Sequence, residues 1–235
     1  TIIADNYVGA DAHGMGDVIG SESLFDIFSA DVVLSGTTLT VDIHTNFAGK
    51  GDDGLYASVS GGLGIGYGDL FLASSWNPYG SAPYASDDNS NGTVWTYAIG
   101  LGGDRWNATG GSATLYSLAS NNNNADALLS DDFISGAIYR NGQEAAVDPR
   151  STGVSPLANS ASWSINEASG IISFMADLSN TSLLFGDEIA FHWGQTCQND
   201  VIEGSAPVPE PATMLLLGTG LLGLAGFGRK KLKGK

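Results

Sequence analysis

The sequence predicts an all-β fold: an antiparallel β-sandwich or jelly-roll-like domain followed by a C-terminal hydrophobic α-helix. Three observations predict it. Short runs alternating apolar and polar residues recur along the chain, turn-forming pairs separate them, and one long uncharged stretch stands apart near the C-terminus.

Strand-like runs cover 24–34, 38–46, 54–60, 69–74, 93–101, 113–118, 133–140, 161–165, 171–177 and 188–193. The clearest is Thr38 to His44. Its Leu39, Val41 and Ile43 belong to one face and Thr40, Asp42 and His44 to the other, the period of a half-buried strand. Between the runs stand Gly61-Gly62, Asn77-Pro78, Gly102-Gly103, Gly110-Gly111, Asn141-Gly142 and Asp148-Pro149, each a turn marker. About ten short strands with no amphipathic helix between them indicate a sandwich or jelly roll. No fixed period repeats, which argues against a solenoid or propeller. The expected division is a β domain over 1–204, a Pro-containing linker over 205–211, an apolar helix over 212–228 and a basic tail over 229–235.

Composition narrows the function classes. The chain has 235 residues and a net charge of -16, with only 14% charged residues. Upstream of residue 207, Lys50, Arg105, Arg140 and Arg150 face 24 acidic residues, a net charge of -20. A body so acidic repels nucleic acid, whose binders need a basic face. It suits a solvated outer surface or cation binding. The chain opens on Thr1, as expected of a mature form whose signal peptide has been removed. Cys197 is the only cysteine, so no internal disulfide forms, and burial is its expected fate.

Ala212 to Gly228 contains 17 residues and no charge. As a helix it would span about 25 Å, the lower limit for crossing a bilayer. Glu210 precedes it and Arg229, Lys230 and Lys231 follow. The positive-inside rule then puts the tail in the cytoplasm and the β domain outside. Gly218, Gly220, Gly223 and Gly226 make the helix small-sided, which allows close approach of a second copy.

Pro209-Glu210-Pro211, the apolar segment and Arg229-Lys230-Lys231 occur in an order that resembles the PEP-CTERM sorting signal of exosortase-handled bacterial proteins. The resemblance implies export, at least transient insertion in the inner membrane, recognition by an exosortase-type enzyme, and delivery to the surface or extracellular matrix, often in polysaccharide-producing biofilms. If the helix is retained, a homo-oligomer such as a filament would cover its apolar surface.

Candidate sites are few. Asp87, Asn89 and Asn91, ahead of Gly92, match the first half of a calcium loop, but Ala98 stands where the closing Glu belongs. Gly51 to Gly54 and Asp131-Asp132 are weaker versions of the same pattern. Trp76, Trp95 and Trp106 lie among amides and suggest a carbohydrate platform, with core packing as the alternative. His192 and Cys197 are near in sequence, yet nucleophile and base normally come from distant segments. No G-x-S-x-G, Walker A or dinucleotide fingerprint is present. No catalytic residues are assigned, and calcium is the one cofactor suggested. The expected role is an exported structural or interaction protein, self-associating. The alternative is a carbohydrate-binding module of the extracellular matrix.

Overall fold

A computed structural model describes residues 1–119, 124–135 and 139–209. Within them lie twelve strands: β1 (Ile2–Ala4), β2 (Ile27–Ser35), β3 (Thr38–Thr45), β4 (Leu70–Ala73), β5 (Tyr97–Gly100), β6 (Gly110–Leu118), β7 (Ala127–Leu129), β8 (Glu144–Val147), β9 (Val154–Asn166), β10 (Ile171–Asp177), β11 (Glu188–Gly194) and β12 (Val201–Pro207). Two one-turn helices, α1 (Glu22–Phe25) and α2 (Ser130–Phe133), complete the α content of these residues.

Ten strands form one antiparallel sheet in the order β1-β2-β3-β10-β9-β6-β5-β4-β11-β12, and β7 pairs with β8 apart from it. The all-β, antiparallel prediction holds. In place of two facing sheets, a single sheet rolls until its ends nearly meet. The Asp200 carboxylate, just ahead of β12, accepts a hydrogen bond from the Ile27 N–H at the start of β2 at 2.6 Å. A Cβ placed on Gly204 of β12 would lie 2.6 Å from Ile3 of β1, so only glycine permits this approach.

Hydrophobic alternation builds the barrel interior. Leu39, Val41 and Ile43 of β3 are fully buried, as predicted. Register carries the pattern across four strands: Val32 opposes Val41, Val41 opposes Phe174, and Phe174 opposes Trp163. The β2–β3 hairpin turns on two residues, with Gly36 at φ +61°, a conformation glycine adopts without strain.

One sector is covered on both faces. Leu70 and Leu72 of β4 join the main core, whereas Phe71 and Ala73 join a second cluster with Trp95, Ala98, Val147 and Ala190. That outer cluster is roofed by β8 and the segment leading to β5. Asp69 holds the roof in place. It accepts from the Arg105 guanidinium at 3.0 Å, from the Leu101 N–H at 2.8 Å and from the Val147 N–H at 2.8 Å.

Several boundaries differ from the sequence reading. Residues 54–60 form successive turns instead of a strand, with Gly54 and Tyr56 both at positive φ. Of the run 133–140, Phe133 ends α2 and 136–138 lie outside the described residues. β12 continues through Pro207, so the sheet enters the segment read as linker. The apolar segment 212–228 and basic tail lie outside the described residues. Among those described, no helix is long and apolar enough to cross a membrane.

Candidate functional site

The most unusual local structure is the β11–β12 connection, Gln195 to Asp200. Loops normally stay in water because their backbone groups need partners. All six residues of this one are buried. They fold into the end of the barrel because their side chains replace water. Gln195 donates to the Phe25 carbonyl at 2.8 Å, Gln198 to the Glu144 carbonyl at 3.0 Å and Asn199 to the Ile19 carbonyl at 2.8 Å. Thr196 accepts from the Gly66 N–H at 3.0 Å. The loop is a polar plug joining α1, β2, β8 and the N-terminal segment.

Beside the plug, three carboxylates from distant parts of the chain converge. One oxygen from each of Asp5, Asp17 and Asp200 lies within 4.8 Å of the others. Asp200 is fully buried, and its two oxygens accept from the Ile27 and Val201 N–H groups. Asp5 Oδ1 accepts from the Tyr7 N–H, whereas Asp5 Oδ2 and Asp17 Oδ1 are shielded from solvent and receive no hydrogen bond. Arg140 is the cation nearby, but it donates to the Val8 and Asp17 main-chain carbonyls. Burial foremost, and mutual repulsion second, pushes Asp5 up to about 10 and Asp200 up to about 8.

A second polar network lies under the roof. His192 pairs with Glu203 at 2.9 Å through Nδ1 and with the Glu144 carbonyl at 2.7 Å through Nε2. Glu203 also accepts from the Trp76 indole N–H at 3.0 Å, and Glu144 accepts from Asn124 at 2.5 Å. Burial pushes Glu144 and Asp87 up to about 7 each. His192 is raised; its burial opposes protonation, but the Glu203 hydrogen bond and charge outweigh it. Trp76, Tyr84, Tyr7 and Glu203 line a cavity of about 380 Å³ at the seam between β1 and β12.

The residues singled out by sequence fall as follows. Asp87 is buried and turned inward, whereas Asn91 Oδ1 accepts from the Asp88 N–H. Asn89 is half-buried, and its N–H donates to the Gly142 carbonyl. Trp95 is buried beside His192. Trp76 and Trp106 line separate cavities that share no residue. The three tryptophans therefore do not form one platform. Cys197 is fully buried with its thiol pushed up to about 12, chiefly by burial, and both His192 nitrogens are engaged elsewhere. These two residues do not make a nucleophile–base pair. The sequence reading missed Asp5, Asp17 and Asp200. Their only sequence signal was the excess of acid over base, since 12 and 183 positions separate them.

β12 ends at Pro207. Val208 then donates to the Asp187 carbonyl at 2.9 Å, so the chain leaves the barrel beside β11. From this point, residues 207–230, a family model for the PEP-CTERM protein-sorting motif matches. This chain carries a PEP-CTERM sorting signal. The signal implies handling by an exosortase and delivery to the cell surface or the extracellular space. Pro209 is its last described residue. Glu210, Pro211, Arg229, Lys230, Lys231 and the small-residue positions Gly218, Gly220, Gly223 and Gly226 lie outside the described residues. No curated protein and no solved structure matches the chain.

Proposed function

We propose that this PEP-CTERM protein is a structural or interaction protein of the bacterial surface or extracellular matrix, that it self-associates, and that the barrel is its exposed unit. The observation that carries this reading is the position of the sorting motif, which begins where the last strand ends. The barrel is thus complete before the signal starts, and delivery need not disturb it. An apolar surface beside the exit supports self-association. Leu34, Leu184, Phe185, Val208 and Pro209 line a cavity of about 440 Å³, and Phe185 is 87% exposed.

The test is the intact mass of the protein from the native surface, with electron microscopy of the same fraction. A full-length mass in regular filaments supports assembly through the C-terminal segment. A mass lacking everything after the Pro-Glu-Pro motif makes that segment a disposable signal and leaves the barrel to assemble alone. Dispersed full-length particles held in membrane overturn the self-associating part.

A second reading, binding to matrix polysaccharide, is favoured by the seam cavity. Its walls are the stacked pair Tyr7 and Tyr84 with Trp76 edge-on to Tyr84, above the Glu203 carboxylate. Aromatic walls over a carboxylate suit the mixed apolar and hydroxyl faces of a sugar.

A further inference from the structure

A cavity of about 320 Å³ opens beside the turn after β5, on the outer side of the sheet. Small-molecule sites run from roughly 300 to 1,000 Å³ and combine apolar walls with a few placed polar groups. This cavity has that composition. Trp106, Tyr116 and Phe133 line it and are each half-buried, so their rings reach solvent. Arg105 and Asp69, also lining it, are buried and paired at 3.0 Å. Gly102 and Gly103 leave the rim bare of side chains.

The buried pair keeps hydrogen-bonding capacity in reserve. A guanidinium has five N–H donors. Arg105 spends Nε on the Gly102 carbonyl, one Nη1 hydrogen on the Tyr67 carbonyl and one Nη2 hydrogen on Asp69. One N–H remains on each terminal nitrogen. Asp69 Oδ1 accepts twice, from Leu101 and Arg105, whereas Oδ2 accepts once, from the Val147 N–H. A carboxylate oxygen can accept two bonds, so Oδ2 has room for another donor. A Cβ built on Gly100, another lining residue, would lie 2.7 Å from the Tyr116 ring and 3.6 Å from Asp69 Oδ2. The ring and the free acceptor therefore flank the same bare stretch of backbone.

The ligand class follows from these groups. Arg105 and Asp69 cancel in charge, so a charged ligand would lose its water without a counter-charge. An anion would in addition enter a body with 24 acidic residues against four basic ones. Adjacent donors and an acceptor match hydroxyl groups, each of which both donates and accepts. Three aromatic rings match the apolar C–H face of a sugar ring.

We propose that this cavity binds one neutral sugar unit, stacked on the aromatic walls and hydrogen-bonded to Arg105 and Asp69 through its hydroxyls. The site shares its ligand class with the seam cavity but none of its residues, so either can fail alone.

The experiment titrates the full chain, held in lauryldimethylamine oxide so that no sugar-based detergent competes. The probes are the methyl glycosides of glucose, galactose and mannose, with glucuronate and indole as rivals, read by saturation-transfer NMR. The expected result is saturable binding of at least one glycoside, with Kd on the order of 1 mM. Gly103 has ordinary backbone angles, and a Cβ there meets nothing within 4 Å. Gly103→Leu should therefore fold, obstruct the cavity and weaken that binding at least tenfold. Should it not fold, Phe133→Leu, which removes a stacking face and keeps apolar bulk, should weaken binding at least threefold. Trp76→Phe, in the seam cavity, should leave it unchanged. Binding lost in Trp76→Phe and kept in the other variants places the sugar at the seam and overturns this site. Failure of every glycoside to bind, or a preference for indole or glucuronate, overturns the ligand class.

Discussion

At the scale of single residues, the fold depends on a few buried polar groups whose partners leave no margin. Asp69 accepts from Arg105, Leu101 and Val147, and so joins β4, the turn after β5 and the roof strand β8. Arg105 in turn donates to the Tyr67 and Gly102 carbonyls and lies against the Trp106 and Phe133 rings. Removing one member of a buried ion pair leaves the other charge uncompensated, at a cost of about 3–5 kcal/mol. Asp69→Ala should therefore lower unfolding free energy by about that amount in urea titrations. A loss under about 1 kcal/mol, the worth of an exposed pair, would show that the pair is not buried in solution. Cys197 shows the same dependence on burial from the opposite direction. Its thiol is sealed in, and its raised pKa leaves little thiolate at neutral pH.

At the scale of elements, pH acts under the roof on the outer face of β11 and β12, in the same direction as at Asp5 and Asp200, which are also raised. Glu144 has its pKa raised from an ordinary 4.5 to about 7, so the folded state holds a proton that the unfolded chain releases. Stability contributed by this group is therefore complete below about pH 4.5 and declines as pH rises through 7. Asp87, raised to about 7, acts in the same direction. So does His192. Its raised pKa gives stability that is complete below the ordinary 6.5 and lost as pH rises through the folded value. In EDTA, Tm should fall between pH 5 and pH 8. Glu144→Gln, which removes one titrating group and keeps an acceptor for Asn124, should flatten that slope. A slope unchanged in the variant would mean that Glu144 is already ionised at neutral pH in the folded protein.

At the scale of the molecule, an acidic barrel is joined to a basic tail, and the join coincides with the last strand. Exosortase handling follows from the PEP-CTERM signal at 207–230. What the delivered barrel does depends on its surface. Phe185, in the turn before β11, projects next to Val208 and is the most exposed large apolar side chain among the described residues. Phe185→Ser should therefore leave the fold intact, since little is buried, and shift the assembly equilibrium toward smaller species by sedimentation velocity. Unchanged sedimentation would count against self-association through this face.

The sequence by itself determined the β class, the acidic body, the sorting signal and the inward face of β3. Each is a local property. Alternation with period two, charge counts and an uninterrupted apolar segment are readable within one short window. It did not reveal β8 or β12. Glu144 and Ala145-Ala146 make a short, weakly apolar run, while Glu203-Gly204-Ser205 interrupts the alternation expected of a strand. Those strands exist because the roof and the rolled sheet bury them from both sides. The tertiary structure alone decided that one sheet would nearly close and that a polar loop would plug its end. It also decided which three of the many carboxylates would meet. Residues as distant as Asp5 and Asp200 become neighbours only when the first and last strands of the sheet are brought together, and no local pattern encodes that closure.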